Sequence, residues 1–289
     1  MPQKVIILDS SQISTWLDCP CKWDLSYRQR LTHSNKVEEA LSAGTLMHKL
    51  IELFHTNGNS VQKALDFKMP EGFPLTDKTA ADVRKRFQEY VLFWMAQGQS
   101  YVIATRPRYA VKIENSLPVD FYEQELLVEQ GFSFHLYEDK DYLFVLEGRI
   151  DAIVEMSGNK FWVDHKLQFR ERELYKKSIQ FRNYALATGF SLGMIDYIRM
   201  QKEIGPKTFI RQVISFNAYE QRMWKIELIN IFKDIADSGI APPMQRWNSC
   251  DGKFGYPCEF VSVCEEWNPQ TKLAIVQRDF VKREEWKPW

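Results

Sequence analysis

Hydrophobic positions along this chain switch between two periods. Phe132, Phe134 and Leu136 fall on every second residue, the spacing that lines one face of a strand. Apolar and β-branched residues crowd Phe144, Val145, Ile150, Ile153 and Val154, then Phe161, Trp162 and Val163, with the turn signal Ser157-Gly158-Asn159 between them. Residues 142–166 are therefore predicted as a β-hairpin. Further strands are predicted around 109–113, 125–128, 196–200 and 209–216. Helix-period spacing appears at Ala40, Leu41, Ala43, Leu46, Met47, Leu50, Ile51 and Phe54. Helices are also expected over 11–30, broken or kinked at Pro20, through 84–94, from Gln180 onward, and over 218–237. A polar, Pro/Gly-containing link covers 69–77. Interleaved strands and helices predict an α/β fold.

Composition narrows the class. With 289 residues, 45% of them hydrophobic, and 19 Phe, 12 Tyr and 9 Trp, the chain can bury a sizeable core and is not disordered. The length suits one large domain with terminal additions, or at most two tightly joined parts. The first residues lack the apolar core of a signal peptide, and no stretch is long enough to span a bilayer, so a cytoplasmic protein without membrane contact is expected. Charge is balanced at 38 basic and 38 acidic residues, unlike the overall basic character usual in non-specific nucleic-acid binders. A local basic groove remains open to Arg28, Arg30, Arg84, Lys85, Arg86 and Lys112. Arg170, Arg172, Lys176 and Lys177 are the candidate DNA-binding residues, because they follow the hairpin directly and lead into the Gln180 helix.

The hairpin carries the chemistry. Asp151 lies on its first strand, and Asp164 and Lys166 share one face of the second. Two carboxylates and an ammonium suit a hard divalent cation such as Mg²⁺, which prefers oxygen ligands and completes its shell with water and phosphate. A neighbouring lysine can hold an attacking water or neutralise charge on a phosphate. Taken alone, Asp164-His165-Lys166 is better read as a structural ion pair between Lys166 and one aspartate. Five cysteines, Cys19, Cys21, Cys250, Cys258 and Cys264, form the second signal. An odd number in a reducing compartment does not suit a disulfide framework. Three of them in a short, turn-rich tail point to a metal or to buried thiols, and their spacing is looser than that of zinc ribbons.

Five motifs occur in order: Ser11-Gln12-Ile13-Ser14-Thr15-Trp16-Leu17-Asp18-Cys19-Pro20, Gly44-Thr45-Leu46-Met47-His48, Gly148-Arg149-Ile150-Asp151, Asp164-His165-Lys166 and Gln180-Phe181-Arg182-Asn183-Tyr184. The series resembles the PD-(D/E)XK nuclease superfamily, and within it the branch of RecB/AddB-type nucleases and CRISPR-associated single-strand exonucleases. The resemblance implies a restriction-endonuclease-like core, a central mixed sheet flanked by helices, with a helical insertion and a terminal iron–sulfur module. It implies one nuclease domain over 1–289: residues 1–30 and 241–289 as the cysteine module, 31–107 as the helical part with His48, and 108–240 as the core. By the same likeness His48, Asp151, Asp164 and the backbone carbonyl of His165 would hold Mg²⁺ or Mn²⁺. Lys166 would position water, and Gln180 and Tyr184, four residues apart on one helix face, would orient the lysine or the phosphate. The His165 side chain would point away from the metal. Cys19, Cys250, Cys258 and Cys264 would hold a [4Fe–4S] cluster, with Cys21 a nearby alternative to Cys19 and zinc an alternative metal. The implied activity is metal-dependent DNA exonuclease action in recombination, repair or end processing, on single strands or free ends, beside a recombinase, helicase or adaptation protein. A CRISPR-adaptation trimming nuclease and a non-catalytic iron–sulfur DNA-binding module are the alternatives.

Overall fold

The expected hairpin forms, and the elements around it are longer than the sequence pattern suggests. The computed structural model describes residues 3–34, 39–98, 102–114, 117–156, 158–169, 178–238, 245–251 and 257–283. From the N-terminus come β1 (Lys4–Leu8), α1 (Ser10–Asp18), α2 (Pro20–Trp23), β2 (Leu31–His33), α3 (Glu39–Thr56), α4 (Val61–Leu65) and α5 (Asp77–Ala96). Six strands follow: β3 (Val102–Ile103), β4 (Thr105–Glu114), β5 (Leu117–Leu126), β6 (Val128–Glu138), β7 (Tyr142–Met156) and β8 (Asn159–Gln168). Then come α6 (Ile179–Thr188), β9 (Leu192–Arg199), β10 (Phe209–Ser215), α7 (Ala218–Asp237), α8 (Val261–Glu265), α9 (Pro269–Asp279) and β11 (Phe280–Lys282).

The predicted helix over 11–30 is three pieces. Cys19 is extended (φ −158°, ψ 114°), Pro20 opens α2 where its missing N–H costs nothing, and a π turn covers Asp24–Arg28. The predicted strand over 125–128 is likewise divided, because Leu126 ends β5 and Val128 opens β6. A helix, α9, stands in the tail, capped by Asn268, whose side chain accepts the N–H groups of Gln270 and Thr271.

The chain forms two compact units. The first comprises Met1–Val37, Phe132–Gly148 and Tyr219–Trp289, the second Glu38–Gly131 and Arg149–Ala218. In the first, β1 runs parallel to the opening half of β7, Lys4 beside Tyr142 through Leu8 beside Leu146. β2 and β11 pair antiparallel, bringing Leu31 beside Lys282. Leu25, Leu31, Phe260, Val263 and Phe280 close a small core there, with Phe260 and Phe280 stacked at 5.2 Å. Carbonyls of the early chain accept bonds from the late chain, among them Asp18 O from Ser249 Oγ at 2.9 Å and Arg30 O from Arg283 N at 2.9 Å.

The second unit contains a mixed sheet in the order β7-β8-β9-β10. β7 and β8 are antiparallel from Ala152–Val163 to Met156–Asn159, β8 and β9 parallel, β9 and β10 antiparallel. Alternation along β8 divides the core. Trp162, Asp164 and Lys166 share one face, where Trp162 stacks on Phe181 of α6 at 5.5 Å and meets Tyr184 edge-on at 5.4 Å. Leu167 points the other way, into Leu46, Met47 and Leu50 of α3 and Phe87, Tyr90 and Trp94 of α5. The sheet is thus flanked by helices on both faces, the layering of a restriction-endonuclease-like core. α6 stops at Gly189, whose left-handed φ of 71° lets its N–H close on Ala185 O.

Gly193 sits beside Trp162 in the β8–β9 ladder, and a Cβ there would lie 2.1 Å from the indole Cζ2. The indole is fully buried and cannot yield. Gly193→Ala is expected to cost about 1–3 kcal/mol by overpacking, read as a lower urea midpoint at unchanged slope. An unchanged midpoint would show that the ring moves freely.

Candidate active site

Asp151 lies one residue beyond the last β7–β8 pair, Ala152–Val163. Its Oδ2 accepts the His165 backbone N–H at 2.6 Å, so the carboxylate takes over where the ladder stops. That leaves Oδ1 free to meet α3, where His48 Nδ1 is 3.5 Å away. The same Nδ1 is 3.5 Å from Oε1 of Glu129, and His48 Nε2 is 2.9 Å from the carbonyl of His165. Ligand atoms of His48, Glu129 and Asp151 all lie within 4.8 Å of one another, the one such group among the described residues. Arg149 extends its guanidinium to within 3.8 Å of Glu129 Oε2. The His165 ring is buried rather than remote from the site, with Nδ1 3.7 Å from Asp151 Oδ2.

Asp164, Lys166, Gln180 and Tyr184 form a second, continuous group. Lys166 Nζ donates to Asp164 Oδ1 at 3.0 Å and stands 2.8 Å from Oδ2. It also donates to Gln180 Oε1 at 3.1 Å, Gln180 Nε2 donates to the Tyr184 hydroxyl at 2.7 Å, and that hydroxyl donates to the Arg149 carbonyl at 2.7 Å. The four-residue spacing on α6 thus fixes the lysine through a chain of bonds anchored on β7. Asp164 Oδ2 is buried without an aligned hydrogen-bond donor and keeps acceptor capacity to spend.

Burial and neighbouring charge set the protonation states. Complete burial pushes the Asp164 carboxyl up to about 6 against the pull of Lys166, and the Asp151 charge adds to the rise. Burial would also raise Asp151, but the His48 charge and the hydrogen bond from His165 outweigh it and hold it well below the usual carboxylate range. Burial disfavours a charged His48, yet Asp151 and then Glu129 prevail and push the ring up to about 9. Burial works against the Lys166 ammonium as well, but Asp164 and Asp151 keep it above its ordinary value.

Oxygen donors from two carboxylates and a nearby carbonyl, with one imidazole, fit a hard divalent cation. In the metal-free protein His48 carries a proton at neutral pH, and an incoming cation must displace it. Between about 6, where Asp164 titrates, and about 9, where His48 does, Mn²⁺ affinity is therefore expected to rise about tenfold per pH unit, with one proton released per ion. Titration calorimetry in buffers of different ionisation enthalpy measures both, and a pH-independent isotherm would remove His48 from the ligand set.

Of the residues singled out from sequence, the structure gathers His48, Asp151 and the His165 carbonyl in one group, and Asp164, Lys166, Gln180 and Tyr184 in the other. Asp164 faces the lysine and is not among the clustered ligand atoms. Glu129 was not anticipated. It closes the apolar run Leu126-Leu127-Val128, and its left-handed φ of 51° has no mark in the sequence. In the other unit Cys19, Cys250, Cys258 and Cys264 line one small cavity with Lys22, Gln245, Ser249, Phe260 and Val261. Cys21 is not on its wall, and its Sγ is 3.6 Å from that of Cys264. Arg170, Arg172, Lys176 and Lys177 lie outside the described residues, and Lys112 lies on β4.

The chain belongs to the PD-(D/E)XK nuclease superfamily, whose family model matches residues 10–265. Membership implies metal-dependent nuclease chemistry, which the carboxylates and lysine on β7 and β8 suit. No curated protein matches. Fourteen chains of solved structures match, among them the crystal structure of SSO0001. That one has 11% identity and a TM-score of 0.32, and covers 77% of this chain and 84% of its own. Among the described residues no helix is long and apolar enough to cross a membrane.

Proposed function

We propose that the chain is a Mg²⁺- or Mn²⁺-dependent DNA exonuclease of the iron–sulfur RecB/AddB-like branch, acting at strand ends in recombination, repair or end processing. The observation that carries this is the juxtaposition of the His48–Glu129–Asp151 group with the Asp164–Lys166–Gln180–Tyr184 relay. His48, Glu129, Asp151, Asp164 and the His165 carbonyl would hold the cation, which when bound supplies Lewis-acid polarisation of a phosphodiester. Lys166, oriented by Asp164 and Gln180, positions the attacking water and offsets charge growing on the phosphate oxygens. Tyr184 keeps Gln180 aimed at the lysine. The preference for ends follows from the likeness to that branch, and DNA contact by Arg170, Arg172, Lys176 and Lys177 from their place in the sequence between the hairpin and the Gln180 helix.

Residues 1–30 and 241–289 would form the cluster module, 31–107 the helical part and 108–240 the core. Four cysteines around one cavity support a [4Fe–4S] cluster on Cys19, Cys250, Cys258 and Cys264, zinc being the other metal such thiolates accept. Tying Cys19 to cysteines more than two hundred positions away makes the cluster a staple rather than a catalyst.

The test is digestion of end-labelled single- and double-stranded DNA with Mn²⁺, wild type beside Asp164→Ala. Release of label by wild type alone is the expected result. Equal digestion by both would discard the site, and retained DNA binding without cleavage by either would favour a non-catalytic module.

A further inference from the structure

We propose that Cys21 and Cys264 are a reversible disulfide site, closed by exchange with a low-molecular-weight disulfide such as glutathione disulfide. Their sulfurs are 3.6 Å apart although 243 positions separate them in the chain. The approach is built rather than incidental. Cys21 lies on α2 and Cys264 on α8, and both pack against the Leu25–Leu31–Phe260–Phe280 core that the β2–β11 pairing closes. The Cys264 carbonyl also accepts Gln245 Nε2 at 3.2 Å, and its N–H bonds to Phe260 O at 2.9 Å. A disulfide needs about 2.05 Å between sulfurs, so the two must approach from 3.6 Å to bond. Both cysteines are only half-buried, so a small disulfide can reach them.

The exchange balances without any further reagent. One cysteine thiolate attacks glutathione disulfide, forms a mixed disulfide and expels a glutathione thiolate. The second thiolate attacks the protein sulfur of that mixed disulfide and expels the other glutathione. The protein loses two electrons and two thiol protons, and glutathione disulfide gains them. In a reducing compartment such a pair stays open until the glutathione pool shifts, which is the behaviour of a redox-sensing rather than a structural disulfide.

Two consequences follow. Cys264 lines the cavity with Cys19, Cys250 and Cys258, so closing the pair withdraws one thiolate from any metal held there. The link also spans 243 positions, so it restricts the unfolded chain and raises, rather than lowers, the stability of the unit that holds both ends. Neither consequence depends on the nuclease reading.

The experiment uses the full chain as purified, with its bound iron and zinc measured before and after incubation with glutathione disulfide under native conditions, then alkylated and mapped by mass spectrometry. The expected result is one internal link joining the Cys21 and Cys264 peptides, opened by dithiothreitol, with a higher thermal midpoint than the reduced protein. Cys21→Ser and Cys264→Ser should each lose the link and carry one glutathione on the cysteine that remains, while Cys19→Ser keeps it. Linkage of a different pair, mixed disulfides alone in wild type, or a link that survives in Cys21→Ser would overturn the proposal.

Discussion

Asp151→Asn is expected to abolish cation-dependent cleavage, slowing it by about a thousandfold or more. The magnitude follows from the charge stabilisation a bound divalent ion supplies, several kcal/mol, with each 1.36 kcal/mol worth about tenfold in rate. Asparagine keeps the volume and an oxygen for the His165 N–H, now 2.6 Å from Oδ2, so the β7–β8 junction should persist. What disappears is the negative charge that holds His48 protonated and would draw in a cation. Mn²⁺ binding by calorimetry should weaken by at least about a hundredfold, since a ligand is worth more than the outer-shell partners that cost 10–100-fold. The thermal midpoint of the metal-free protein should also fall at neutral pH, because a carboxyl held below its usual range favours the folded state when charged, so metal binding and stability are read separately. Cleavage within tenfold of wild type would show that the cation is held elsewhere.

Lys166→Met should reduce cleavage by about a hundred- to a thousandfold, the usual loss when one donor to developing oxyanion charge is removed. It should also expose how much the Asp164 charge depends on its neighbour. Asp164 is fully buried, and its ammonium partner is 27% exposed. Breaking such a pair costs about 3 kcal/mol, discounted toward 2 for the solvent that reaches the lysine. The pH dependence has a definite sign. Asp164 already sits near 6, above its unfolded value of 3.8, so its proton favours the folded state. Without Lys166 the carboxyl rises further. The variant is then weakest at alkaline pH, its gap to wild type closes as pH falls through the raised carboxyl value toward about 6, and below about 6, where both proteins hold the proton, the gap stays small. Urea unfolding across that range measures the gap to wild type. A gap that stays flat, or widens toward acid, would place the stabilisation outside the Asp164–Lys166 pair. Asp164→Asn in the Lys166→Met background should recover most of the loss, because it removes the stranded charge.

The β7–β8 hairpin was legible because a strand repeats every two residues and a Ser-Gly-Asn turn separates the two runs. From that period alone Asp164 and Lys166 share a face, and the helical period puts Gln180 and Tyr184 on one side of α6. The same reasoning missed where these two pairs meet, since no local rule says that α6 packs over β8 through Trp162 and Phe181. The break expected at Pro20 in the 11–30 helix is there, with Cys19 extended just before it, but the π turn over Asp24–Arg28 has no mark in the sequence. Sequence reasoning passed over α9, whose residues bury little and so carry a weak apolar stripe.

Sequence by itself determined the α/β class, the hairpin and the identity of most charged residues at its open end, because side-chain alternation is a local property of the backbone. Tertiary structure alone decided that Glu129 joins His48 and Asp151, through a left-handed backbone that only packing selects. It alone turned Asp164 toward Lys166 and set the two carboxylates apart, one held below the usual range by charge and one raised to about 6 by burial. And it alone paired Cys21 with Cys264, since contact between residues 243 positions apart depends on how β2 and β11 meet and not on any spacing in the chain.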